Sequence, residues 1–141
     1  MGVLTNFVVA NAEDAEAIGT STALTEEFLS VKAEGLDAHK LGRLYTIVSR
    51  TGHDDAFMKD PTHKLYTSPS GVEIQLVPSE LVLSLCQIPD MGLPSIAKSW
   101  GETDGFDSAW TPEAIESALQ NFSGVCREAL GEGKALMMYI S

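Results

Sequence analysis

Between Trp100 and Trp110 the sequence sets three aromatic rings, Trp100, Phe106 and Trp110, among three carboxylates, Glu102, Asp104 and Asp107. No base lies between Lys98 and Arg127. A ring face attracts a cation through its quadrupole, and a neighbouring carboxylate adds charge attraction. The segment is therefore the candidate site for an amine, or for the Lys and Arg side chains of a partner protein. A structural reading competes with it. Indoles are mostly used in packing, so the rings would pin a long loop to the core while the acids face water. Calcium is a poor fit, because acids at 102, 104 and 107 do not follow the spacing of a calcium loop.

Other chemistry is thinner. His53, Asp54, Asp55 and His63 offer nitrogen and oxygen donors, but at no recognised ligand spacing, and a solvated loop is the plainer reading. Cys86 falls in an apolar helix and Cys126 on the core-facing row of another; burial raises a thiol's pKa and makes it inert. There is no G-x-S-x-G elbow, phosphate-cradling glycine loop or H-E-x-x-H pair. No catalytic residue, metal or cofactor is assigned on these grounds. An enzyme or small-ligand protein with a pocket lined by residues 100–110 stays as the alternative.

Charge narrows the partners. Twenty acidic residues against nine basic ones give a net charge of −11. The nine bases are scattered, so nucleic acid and anionic membranes are poor partners, while a basic protein or a cationic ligand is allowed; excess charge that simply keeps a protein soluble is the commoner case. The apolar share of 44% argues against disorder, and 141 residues suit one domain spanning 1–141. No Lys or Arg precedes Lys32, and the run Val3, Leu4, Phe7, Val8, Val9 is too short for a membrane span. Asn6 stands where a myristoylation motif needs Ser or Thr. With two free cysteines far apart in sequence, a reducing cytoplasm is the expected location.

Periodicity supplies the elements that must hold the segment in place. Residues 3–10 read as a strand, and Asn11 as a cap for a short helix broken at Gly19, Thr20 and Ser21. The stretch 28–32 reads equally as a strand or as the end of a helix starting near Thr22. Asp37 caps a helix to about Arg50, with Leu41, Leu44, Tyr45 and Val48 inward and His39, Lys40 and Arg43 elsewhere. Gly52 ends it, and a polar loop covers 53–63. Residues 64–67 and 72–77 flank the turn Ser68–Gly71 and make a hairpin, with Val72, Ile74 and Leu76 on one face.

Ser79 opens a helix with almost no polar face, stopped by Pro89, and Pro94 opens another through Trp100. Thr111 and Pro112 start a long helix whose inward row is Ile115, Ala118, Leu119, Phe122, Val125, Cys126, Ala129 and Leu130. Gly131 and Gly133 terminate it, and Gly124 within it suggests a closely packed neighbour. The apolar run 135–140 predicts a strand buried on both faces. The class is α+β: one domain, a mixed or antiparallel sheet with a hairpin near 64–77, and several helices against it.

The opening Met1-Gly2-Val3-Leu4-Thr5-Asn6-Phe7, the stretch from Leu36 to Leu44 running to Thr51-Gly52, and the ending from Gly133 to Ser141 together resemble the YfbM-like family of small uncharacterised bacterial proteins. The resemblance implies a mixed α and β domain of bacterial, cytoplasmic origin. It carries no catalytic residue across. The functional expectation is therefore a small protein-binding module that uses the surface of residues 100–116. An immunity-like role against a basic toxin is one form of it.

Overall fold

Strands β1 (Leu4–Ala10) and β5 (Ala135–Ile140) are almost continuously apolar, and a strand of that composition is stable only with both faces covered. The computed structural model, which describes residues 4–33, 35–49, 64–103 and 106–141, puts them side by side in the middle of the sheet. The order is β2–β1–β5–β4–β3, antiparallel throughout, with β2 at Leu29–Lys32, β3 at Lys64–Thr67 and β4 at Glu73–Leu76. Alternation along the strands then builds two cores. Phe7, Val9, Leu136 and Met138 face one side; Val8, Ala10, Ile74 and Met137 face the other.

The second side is the smaller. It is closed by α1 (Ala15–Thr20) through Ala15 and Ile18, with the short α2 (Leu24–Glu27) and Phe28 beside it. The first side carries α3 (Ala38–Ser49), α4 (Ser79–Cys86), α5 (Leu93–Gly101) and α6 (Pro112–Glu132). Helix α6 lies on β1 and β5 and packs against α4 and α5, so it is the spine of that layer. Thr111 caps it by accepting the Ala114 N–H at 3.1 Å, and Gly133 ends it in the left-handed region (φ 65°), where only glycine avoids a Cβ clash. Gly131 lies inside the helix, one residue short of its end.

The hairpin forms as its turn chemistry requires. The Ser68 N–H donates to Val72 O at 2.7 Å, the Ser68 hydroxyl accepts the Val72 N–H, and Gly71 supplies φ 97°. Asp37 Oδ1 accepts the Lys40 N–H at 2.8 Å and so caps α3. Of the two readings of 28–32 the strand holds, at Leu29–Lys32; the helix before it is a single turn, Leu24–Glu27, and ends at the extended Phe28.

Four further expectations are corrected. Asn11 caps nothing with its side chain; only its carbonyl is used, accepting from the Asp14 N–H. Helix α4 is not wholly interior, because Leu83 faces out at 44% exposure. Leu130 leaves the inward row of α6 and is 49% exposed. Nothing lies within 4 Å of where a Cβ on Gly124 would sit, so no element packs there. The predicted loop 53–63, with His53, Asp54, Asp55 and His63, and the stop at Gly52 lie outside the described residues. Among the described residues no helix is long and apolar enough to cross a membrane.

Candidate functional site

The aromatic segment divides at its two ends. Trp100, on the last turn of α5, is fully buried in the larger core, and its indole N–H donates to the Lys40 carbonyl at 2.8 Å. That bond satisfies the one polar atom an indole brings inside. Phe106 stands edge-on to Trp100, with ring centroids 4.9 Å apart, and Trp110 stands edge-on to Phe106 at 5.0 Å. The three rings form a stack that fastens the loop to α3 and α5.

The cation that the segment was expected to attract is already supplied by the chain itself. Lys40 Nζ lies 5.6 Å from the Phe106 centroid and 5.7 Å from that of Trp110, and it pairs with Asp37 Oδ2 at 3.1 Å. Its side chain is only 12% exposed. Sequence spacing sets Lys40 apart from the inward row of Leu41 and Leu44, yet its side chain is largely buried against Phe106 and Trp110.

The carboxylates also part company. Asp107 is exposed, but its Oδ1 accepts the Ala109 N–H at 2.9 Å, a local turn that presents Trp110. Glu102 is exposed just beyond α5. Asp104 lies outside the described residues.

Trp110 and Glu102 do meet at one place, a groove of ≈ 480 Å³ between α5 and α6. Ala97, Gly101 and Ile115 make its apolar floor, and Trp110 is one wall. Lys98 and Glu102, both exposed, and the half-buried Glu116 complete its lining. Gly101 lets the two helices approach: a Cβ there would sit 2.9 Å from Ile115 Cδ1. Pro112 fixes the start of α6 beside Trp110, and Glu116 follows one turn later on the same face.

Sequence reasoning missed Ala97, Lys98 and Ile115 as groove residues and Lys40 as the internal cation. For the groove a signal existed: Pro94, Ala97, Lys98 and Gly101 recur at the three- and four-residue spacing of one helix face. For Lys40 there was none, because the contact joins residues more than sixty positions apart.

Neither thiol is prepared for nucleophilic work. Burial pushes Cys126 far up, with the nearby Cys86 thiol adding to the effect. Burial also raises Cys86, and the Arg127 guanidinium partly offsets this. Among the described residues no three His, Cys, Asp or Glu side chains converge as a metal ion requires. No family model, no curated protein and no solved structure matches the chain.

Proposed function

We propose that this protein is a binding module that takes up a basic partner protein at the groove between α5 and α6. The observation that carries the reading is the groove itself: apolar residues and an indole beside two carboxylates, the exposed Glu102 and the half-buried Glu116, with one base, Lys98. An aliphatic stem would lie against Ala97 and Ile115 while its charged head reaches the acids, the arrangement that suits Lys or Arg. The net charge of −11 adds long-range steering of a cationic partner, strongest at low ionic strength. Trp100 and Phe106 act indirectly, by fastening the loop that carries Trp110.

The test is affinity capture from the native lysate with wild-type bait beside Trp110→Ala and Glu102→Gln/Glu116→Gln baits. A basic protein held by wild type at low salt, released at high salt and lost from both variants supports the groove. Equal capture by all three baits sinks it.

A second reading rests on the same groove, whose volume falls within the range of small-molecule sites. A small organic cation would then raise the melting temperature of wild type and leave that of the double Gln variant unchanged.

A further inference from the structure

Strand β2 is an edge of the sheet, with β1 on one side and no described strand on the other. Its backbone can be oriented from one bond. The Ala33 N–H donates to Thr5 O at 2.9 Å, which makes these two a hydrogen-bonded pair. Such pairs alternate along an antiparallel ladder. With Phe7 opposite Val31 and Val9 opposite Leu29, residues 29, 31 and 33 turn their backbone groups toward β1. Ser30 and Lys32 therefore turn theirs outward.

The side chains are as unfinished as the backbone. Leu29 and Val31 are 45% and 37% exposed, on the same face of the sheet as Phe7 and Val9. Beside them runs a trough of ≈ 500 Å³, walled by Gln120, Gly124, Val125 and Glu128 of α6. The missing side chain at Gly124 deepens it. The Ser30 hydroxyl is shielded from solvent and has no hydrogen-bond partner among the described residues.

We propose that β2 pairs with β2 of a second copy of this chain, antiparallel about a two-fold axis through Ser30, to give a continuous ten-stranded sheet. Residues directly opposite in a ladder share a face, so the register is nearly dictated. With Ser30 on the axis, its N–H and C=O exchange two bonds with those of the partner's Ser30. The Lys32 N–H reaches the carbonyl of the partner's Phe28, whose own N–H is already bound to Leu24 O. Leu29 falls opposite the partner's Val31, so each apolar residue meets another over the trough.

Charge is complementary in the same register. Lys32 is exposed and makes no ion pair among the described residues; it arrives beside the partner's Phe28, next to the exposed partner's Glu26 and the partner's Glu27. Shifting the axis to Val31 keeps Val31 against the partner's Val31 but sets the exposed Leu29 against the partner's Ala33, a small residue already buried within its own subunit. β2 and the turn of α2 before it thus supply donors and acceptors, both apolar partners and opposite charges. That self-complementarity favours a second copy over an extended segment of another protein.

Sedimentation equilibrium of the full chain tests association, and cross-linking tests register. Wild type is expected to dimerise, and Val31→Glu to be monomeric with its circular dichroism unchanged, Val31 being partly exposed; its melting temperature should match wild type only at protein dilute enough for both to be monomers. In a Cys86→Ser background, chains carrying Leu29→Cys mixed with chains carrying Val31→Cys should form the mixed disulfide. Their Cα atoms would be about 4.5 Å apart as a non-hydrogen-bonded pair. Neither should cross-link to itself, since Leu29 and the partner's Leu29 stand roughly 8 Å apart in this register, beyond bridging distance. A chain that stays monomeric at every concentration, a dimer indifferent to Val31→Glu, or self-linked species without the mixed one would each overturn the proposal. Binding of a foreign extended peptide by an otherwise monomeric chain would overturn it as well.

Discussion

The aromatic segment 100–110 and the edge formed by β2 and α6 reverse what their residues advertise. The first is rich in rings and acids, a composition that suggests an exposed recognition surface, yet Trp100 is sealed in the core and Lys40 already sits against Phe106 and Trp110. The second is plain in composition, yet it leaves Leu29 and Val31 in water beside a trough. What separates them is the supply of partners within the chain. The loop can fold back on α3 and find a cation and a carbonyl; a strand at the end of a sheet has no further strand to meet.

The largest expected effect tests how far the sealing extends. Trp100→Ala removes the biggest buried side chain and leaves the Lys40 carbonyl without its donor. It should lower stability by about 3–5 kcal/mol, read from urea unfolding. Trp110→Ala, at a half-buried wall, should cost about 1 kcal/mol. Equal costs would mean that the segment is one structural unit with no surface end.

Next comes α6, which borders both regions and has an inner and an outer row. Cys126 is on the inner row and fully buried. Cys126→Ser buries a hydroxyl among apolar neighbours and should cost about 1–3 kcal/mol. The thiol also sets a pH dependence. Its folded pKa is raised, so above the ordinary thiol range of about 8.5 the unfolded chain loses this proton while the folded chain keeps it. Wild-type stability should therefore be unaffected by this group below that range and fall as pH rises beyond it. The Ser variant, compared at the same pH values, should show a shallower fall; identical slopes would place Cys126 in contact with water.

Lys40→Met keeps the apolar stem and removes the charge. The loss of its ring contacts and of the pair with Asp37 should amount to about 1 kcal/mol, since both are partly screened. Trp110 fluorescence should shift with it. No change in either would mean that the rings alone hold the loop closed.

The contrast also explains what could be read in advance. β1, β5, the hairpin and α6 follow from periodicity, because each has enough residues for a repeat of two or of 3.6 to show, and Thr111 and Gly133 mark the ends of α6. Residues 24–32 did not resolve, since a four-residue helix followed by a four-residue strand is too short for any period. At the groove, composition had singled out Trp110 and Glu102 among its lining residues. That Trp100 and Phe106 turn inward was not decidable, nor was the internal role of Lys40, because both depend on a contact between α3 and a loop sixty residues away. The groove is a shape made by two helices meeting at Gly101, and one-dimensional spacing marks only its separate faces.

Gly124→Ala is expected to have the smallest effect on stability and gives the sharpest test of the open edge. Gly124 lies in the interior of α6 with nothing within 4 Å of where a methyl would sit, so alanine should gain about 0.5–1 kcal/mol from helix propensity and a less flexible unfolded chain. That gain should appear in unfolding at dilute protein, where the chain stands alone. The same methyl projects into the trough beside Leu29 and Val31, where the partner strand would lay its own two apolar side chains. Association should therefore weaken while the subunit grows more stable. Opposite signs from one methyl are hard to obtain unless something covers the trough. A variant that is more stable and associates as wild type does would show that the trough stays open in the assembled protein.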